Sequence, residues 1–453
     1  MSEIKSQVIK EKESENPDWY QPVYSWFVVI VLMLAYTLSF IDRQIINILV
    51  GPIKADLGLS DIQISLLMGP AFGVFYILLG LPLGRLADRM SRRNMIAVGI
   101  FFWSVMTVSC GMAKNFGQLF LTRIGVGVGE ATLGPCSFSM ISDYFPKNKL
   151  GRALSTYNMG IYLGSGLAFL LGGAVVGWVT TTGGLTLPLI GDVAPWQAAF
   201  IMVGLPGIFY SLVMLVVKEP VRRGRSTDAK QASWSDVFKQ IASNKAFYIP
   251  MGIGFGLHAL VGYGSTSWIV AFFIRAHEWT RPEAATAYGI ILLVVSTFGI
   301  FTGGWLGEKL NKMGHVDGKL KAAIIGGTLT IPFGIAFPLV ENDQLAVVLL
   351  AFAAYFLAFP YGVAAASIQL VTPNEMRGLI SALYLFTINI IGLVFGPPAV
   401  AFFTDFVFMD EALVGYSLAT VKAIAAPISM GLIVYALGPF RKGLIDAKKW
   451  QGN

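Results

Sequence analysis

The chain has 453 residues, 55% of them hydrophobic and 13% charged, with a mean hydropathy of +0.66. That composition excludes a soluble globular protein and predicts an integral, polytopic membrane protein. The net charge of +7 would suggest a nucleic-acid partner in a soluble chain, but here the placement of the basic residues matters more than their sum, and no nucleic acid is expected. Two cysteines, Cys110 and Cys136, both in apolar runs, and three histidines exclude a disulfide framework and a histidine-rich metal centre, so neither metal nor cofactor is expected.

Residues 1–23 are a polar tail containing Lys5, Glu11, Lys12, Glu13, Glu15 and Asp18. No small-residue cleavage site ends the apolar run that follows, so a cleaved signal peptide is not expected. Twelve mostly apolar runs of about 20 residues or more come next, the length that a hydrocarbon core of about 30 Å requires of a helix. They lie near 24–48, 61–83, 94–113, 117–142, 153–179, 198–217, 246–274, 284–306, 319–340, 344–371, 378–403 and 413–438. The expected architecture is all-α: twelve transmembrane helices in two six-helix bundles, 24–217 and 246–438, joined by a loop at 218–245 and followed by a tail at 439–453. An even number of crossings puts both termini on one side. Of the 33 Lys and Arg, 26 fall on that side, among them Arg222, Arg223 and Arg225 in the central loop, which also carries Trp234. Only Lys54, Lys114, Arg275 and Arg281 fall opposite, so the positive-inside rule places the termini in the cytoplasm. No Asn-x-Ser/Thr sequon occurs and the tails are short, which favours a bacterial inner membrane.

Within this apolar frame the fourth run stands out, because Arg123 and Glu130 sit inside it seven residues apart. On a helix they face the same way, about 10 Å from one another. Asp42 and Arg43 adjoin in the first run. Ionisable groups at membrane depth usually look into the bundle or a water-filled cavity and mark function. Two anions and two cations can simply neutralise one another as ion pairs that fix spans one and four, but buried pairs are a poor source of net stability. The functional reading makes Arg43 and Arg123 the forks that hold a phosphate or carboxylate, with Glu130 or Asp42 as the proton carrier. Gly125, Gly127 and Gly129 are not a phosphate loop, since no strand precedes them and no Gly-Lys-Ser/Thr follows. They suit close helix approach, as do Gly160, Gly164, Gly172 and Gly173. In the second half His258, with Tyr263 nearby, is expected either to line the cavity or to be hydrogen-bonded within the bundle. Tyr355, Tyr361, Tyr384, Thr387 and Asn389 offer polar cavity groups, and Phe352, Phe356, Phe359 and Phe386 an apolar wall suited to an amphiphile.

The halves echo each other. Gly84-Arg85-Leu86-Ala87-Asp88-Arg89-Met90-Ser91-Arg92-Arg93 after the second run returns in weaker form as Gly304-Trp305-Leu306-Gly307-Glu308-Lys309-Leu310-Asn311-Lys312 after the eighth. Likewise Pro146 to Ala153 pairs with Pro373 to Gly378. Two similar halves that rock about a site at their interface are what an alternating-access carrier requires. The first of these loops resembles the signature of the major facilitator superfamily, with Ser91 where that family usually has glycine. The resemblance implies a cytoplasmic gate at Gly84, Asp88 and Arg89, with Arg377 as the candidate partner of Asp88. The stretch Arg123-Ile-Gly125-Val-Gly127-Val-Gly129-Glu130 with Ser142-Asp143-Tyr144-Phe145-Pro146 is similar to the Spinster group of lipid transporters, as are Phe40-Ile41-Asp42-Arg43, Gly164-Ser165-Gly166 and Gly396-Pro397. Span eleven lacks an acidic residue after Gly392. This resemblance implies a carrier of lysophospholipids or sphingoid phosphates coupled to protons; nothing in the sequence calls for oligomerisation, so a monomer is expected. The alternatives are a proton-driven carrier of small organic anions, such as sugar or aromatic acids, and a drug exporter. No nucleophile motif or paired metal carboxylates point to an enzyme.

Overall fold

The structure, a computed structural model, describes residues 20–181, 185–187, 191–222 and 233–451. The tail to residue 19 and Arg223 and Arg225 of the central loop lie outside them. Among the described residues, eleven helical runs are long and apolar enough to cross a bilayer: Pro22–Asn47, Asp61–Ala87, Arg92–Cys110, Lys149–Val179, Pro195–Val216, Lys245–Ala276, Arg281–Lys312, Gly318–Leu339, Asp343–Leu370, Arg377–Phe408 and Glu411–Ala447. The remaining crossing, fourth in order, consists of two shorter helices, Phe116–Glu130 and Leu133–Tyr144. Between them Thr132 turns its hydroxyl back onto the Gly129 carbonyl, and Pro135 has no N–H with which to continue the helical ladder. The twelve expected crossings are therefore present, with ends displaced by a few residues. The last helix extends to Gln451, so most of the expected tail is helical.

Local chemistry sets the boundaries. The side chains of Ser91, Asn115 and Asn342 accept the N–H three residues on and start their helices. Ser233 with Asp236, and Thr280 with Glu283, form capping boxes. Gly58 stops the short helix Val50–Leu57 with a φ of 64°, a left-handed conformation glycine adopts without strain. A two-stranded hairpin, Leu185–Leu187 with Gly191–Val193, joins spans five and six. The central loop carries a helix at Trp234–Ser243, which seats Val237 among Phe247, Leu320 and Phe440 of the second bundle.

Spans one to six pack together, as do seven to twelve, and large apolar side chains such as Phe101, Phe209, Phe301 and Phe402 face outward, as a lipid-facing surface demands. The bundles meet where spans two and five of the first lie against eleven and eight of the second. A Cβ on Gly69 would fall 2.6 Å from the Leu393 carbonyl oxygen, and one on Gly166 would fall 2.8 Å from Leu293 Cβ. Both contacts use π-helical turns, Asn389–Val394 and Ile291–Ser296, which swing backbone and side chain toward the partner bundle. All these contacts lie in the half of the molecule remote from the termini. There one apolar core runs across both bundles, whereas near the termini the second bundle keeps a core of its own. The bundles are thus joined at the face opposite the termini and parted at the face that carries them.

Candidate functional site

The first bundle buries all four predicted charges, but they do not form two ion pairs. Arg43 donates to Glu130 at 2.6 Å, and the Ser39 hydroxyl, one helical turn earlier on span one, donates to the same oxygen at 2.6 Å. The other Glu130 oxygen and the Arg43 Nε are buried without a partner. Rings of Phe40, Phe72 and Tyr76 surround the Arg43 guanidinium, with centroids 4.5, 4.4 and 4.9 Å away. Tyr263 of span seven reaches toward it from the second bundle. Arg43 is therefore the cation at the junction of the halves, held by one carboxylate oxygen and an aromatic cage.

Arg123 is differently engaged. Fully buried, it donates to the backbone carbonyls of Leu67 (3.3 Å), Asp42 (3.2 Å) and Arg43 (3.5 Å). Those carbonyls belong to places where spans one and two leave α-helical geometry, at the 3₁₀ turn Ile45–Asn47 and the break at Gly69. Arg123 fastens span four to both, so the expected second substrate fork is occupied by main chain in this conformation. Asp42 lies away from Arg43 and faces the indole of Trp103 and the hydroxyl of Thr107 on span three. The Ser104 hydroxyl is buried without a partner, and the hydroxyls of Ser137 and Tyr157 face one another. The glycines act in packing as expected. A Cβ at Gly127 would fall 2.4 Å from the Phe72 carbonyl oxygen and one at Gly129 2.8 Å from the Trp103 nitrogen.

In the second bundle His258 bonds the Leu357 carbonyl through Nε2 at 2.8 Å, beside the break that precedes Phe359, and its ring lies 5.4 Å from that of Tyr361. It serves the bundle, while Tyr361, 44% exposed, presents its face to open space. Tyr384 is buried edge-on against Phe255. Thr387 and Asn389 bond carbonyls of their own helix, those of Leu383 and Leu385. Tyr355 packs on Phe356 and Phe359, and Phe352 and Phe356 stack on Phe333 of span nine. The expected wall from span ten is thus turned toward span nine, because the Phe352, Phe356 and Phe359 positions share one helical face and that face packs there. An aromatic lining comes instead from Tyr263, which the sequence placed near His258, and from Tyr76, which the sequence reading passed over.

At the face that carries the termini, Arg92 bridges Asp143 and Glu219, binding Glu219 Oε1 at 2.8 Å. Partial burial works against ionisation of Glu219, but the Arg93 backbone N–H and the Arg92 guanidinium hold its carboxyl below the usual range. The second bundle repeats the arrangement with the signs exchanged, Asp317 before span nine accepting from Arg441 of the last helix. Of the expected gate, Gly84 lies against Pro135, and Asp88 and Arg89 are exposed. Arg377 donates to the Gln369 and Thr372 carbonyls of its own bundle. Among the described residues no ion pair joins Asp88 to Arg377, as follows from the parting of the bundles at this face.

At the opposite face the ion pairs cross between bundles. Asp61, at the start of span two, accepts both guanidinium nitrogens of Arg275 at 2.6 and 2.8 Å and also pairs with Lys54. Lys54 in turn reaches Glu411 of the second bundle at 2.7 Å, and Arg275 reaches it at 3.0 Å. Asp405 accepts the Ile62 N–H at 2.7 Å. This lock was not foreseen, because Asp61 after Ser60 reads as an ordinary helix start. The available signal was that of only four basic residues on this side, Lys54 and Arg275 meet here and Arg281 lies close by.

A model of the Major Facilitator Superfamily matches residues 32–438. The chain is 28% identical over 446 residues to an MFS-type efflux pump of Mycolicibacterium smegmatis, covering 96% of this chain and 97% of that one. It is 26% identical to a probable L-galactonate transporter of Escherichia coli, covering 73% and 72%. To a sphingosine-1-phosphate transporter of Xenopus tropicalis it is 23% identical, covering 88% and 77%. Among solved structures, a bacterial homologue of the human lysosomal transporter Spinster in an inward-facing, unoccupied conformation is similar, with a TM-score of 0.75 at 27% identity over 95% of this chain and 98% of that one.

Proposed function

Because this chain belongs to the Major Facilitator Superfamily and resembles its Spinster members, we propose that it moves an amphiphilic anion, a lysophospholipid or sphingoid phosphate, by proton-coupled alternating access. The observation that supports this reading is the state of Arg43: a buried guanidinium at the junction of two bundles, bound by one oxygen of Glu130 and otherwise enclosed by rings. An arriving phosphate competes with Glu130 for the fork. Once released, Glu130 is a carboxylate without its cation in a site shielded from bulk water, and it takes up a proton. Loss of that proton restores the Arg43–Glu130 pair and expels the anion, so headgroup and proton bind and leave together through one arginine. Asp42, facing the Trp103 indole and the Thr107 hydroxyl, is the second proton acceptor. The side that carries the termini is the cytoplasm of a bacterial inner membrane, and the conformation described is the one open to it.

A second reading, a carrier of small organic anions such as sugar acids, draws on the likeness to the L-galactonate transporter, which extends over most of both chains. The same pair would serve a carboxylate. Substrate-dependent proton flux in proteoliposomes, with lysophospholipids compared against hexonic acids, separates the two: flux with the acids alone replaces the lipid reading. Unchanged pH dependence of transport in Glu130→Gln would remove the coupling scheme.

A further inference from the structure

Three of the rings around Arg43 belong to its own bundle: Phe40 on span one, and Phe72 and Tyr76 on span two. Tyr263 comes from span seven, and its hydroxyl faces the guanidinium from across the junction. The seat of this tyrosine is narrow. A Cβ on Gly392 of span eleven would fall 3.2 Å from Tyr263 Cδ2, and one on Gly396, four residues on, 3.1 Å from Tyr263 Cβ. The two glycines leave a notch that holds Tyr263 against span eleven. Between them lie Leu393 and Val394, whose carbonyl oxygens would stand 2.6 and 2.9 Å from a Cβ on Gly69. Gly69 in turn starts the span-two helix that carries Phe72 and Tyr76. Arg43, its cage on span two, the π-helical turn Asn389–Val394 and Tyr263 therefore close one packed circuit across both bundles.

We propose that Tyr263 is the positioning residue through which occupancy of Arg43 reaches the contact between spans two and eleven. Without an anion, the phenol oxygen accepts from the guanidinium and ties the bundles at the face opposite the termini. An anionic headgroup is the stronger acceptor, so it turns the fork away from the phenol. Binding then removes a contact that only the closed face possesses. A ligand shifts an equilibrium only by what it gains in one state over the other, and the lost phenol contact supplies that difference in favour of opening. This role rests on Arg43 being the fork for the transported anion, whereas the tie itself needs no substrate.

The test uses the full chain in nanodiscs, with spin-label pairs across both faces. Tyr263→Phe keeps the ring in its notch and removes the hydroxyl. With no anion added, it should move the population about tenfold toward opening opposite the termini, lengthening the distance there and shortening it at the termini. Tyr76→Phe, whose ring lies in the same bundle as Arg43, should leave both distances unchanged. Lysophosphatidic acid should shift the unmodified chain in the same direction and Tyr263→Phe several-fold less, because ligand and substitution remove one and the same bond. Unchanged distances in anion-free Tyr263→Phe, an equal shift in Tyr76→Phe, or a full response of Tyr263→Phe to the lipid overturns the role. Gluconate, run in parallel, keeps the two readings apart: a response to gluconate alone, again reduced in Tyr263→Phe, replaces the lipid and supports the role. No response of the unmodified chain to either anion removes Arg43 as the substrate fork, while the anion-free comparison still decides whether Tyr263 ties the bundles.

Discussion

Arg43 and Arg123 are twin residues by type and depth, yet their surroundings give them separate tasks. Arg123 spends its donors on three carbonyls lying in different directions, which the planar fork of arginine reaches and the single point charge of lysine does not. Arg123→Lys is therefore expected to strip at least two of these bonds and cost about 3 kcal/mol, read as a lowered thermal midpoint and poor recovery of folded protein. Arg43 has one ionic partner and a ring of aromatics, both of which lysine still satisfies. Arg43→Lys should keep the fold and lose transport by roughly tenfold or more, since a bidentate grip on a phosphate is worth at least one charge-assisted hydrogen bond, about 1.5 kcal/mol. A protein in which Arg43→Lys unfolds and Arg123→Lys transports normally would reverse these assignments. The sequence exposed both arginines as out of place in lipid, but not this division of labour. Whether a guanidinium meets a carboxylate or a carbonyl depends on where neighbouring helices break, and the break at Gly69 follows from packing against span eleven.

At the scale of elements, the glycines of span four sort by what lies opposite. Beyond Gly125 lies the flexible Met106 side chain, and beyond Gly127 the fixed carbonyl of Phe72. Gly127→Ala should therefore cost about 1–3 kcal/mol by forcing spans two and four apart, while Gly125→Ala is absorbed by a rotamer change; thermal unfolding of the two variants side by side reads the contrast. The loops at the face of the termini hold together by charge, and here the effect of pH follows from Glu219. Its carboxyl is held below its ordinary range in the folded protein, so its stabilising contribution is fully present above that range and is lost as pH falls through the lowered value. Midpoints measured through the acid range should fall more steeply for the unmodified chain than for Glu219→Gln, which lacks the titrating group. The periodicity and length of the apolar runs revealed every span, because a bilayer imposes one length on all of them. They did not reveal the divided fourth span, the orientation of the span-ten phenylalanines or the helical tail, which depend on contacts far apart in sequence.

The whole molecule balances two faces, and each should have its own lock. The one observed joins Asp61 to Arg275 and Lys54, and the latter two to Glu411, across the bundles at the face opposite the termini. Asp61 is its centre, fully buried with two cations upon it, so Asp61→Asn removes the shared countercharge and leaves Lys54 and Arg275 to repel. The population should move toward opening on this face, by at least tenfold if a single charge-assisted bond of about 1.4 kcal/mol is lost. Interspin distances across both faces measure it: the distance lengthens here and shortens at the termini. The gate expected at Asp88 and Arg377 is not formed in this state, in which Asp88 is exposed and Arg377 bonds its own bundle. Asp88→Asn should then act in the opposite sense, deepening the bias toward the state described. Two perturbations of one equilibrium, made at opposite faces without shared partners, add. The double variant should accordingly return toward the original distribution, which is hard to obtain if either carboxylate merely supports its own bundle, because local damage accumulates and does not cancel. A double variant displaced as far as Asp61→Asn alone would show that Asp88 has no part in closing its face.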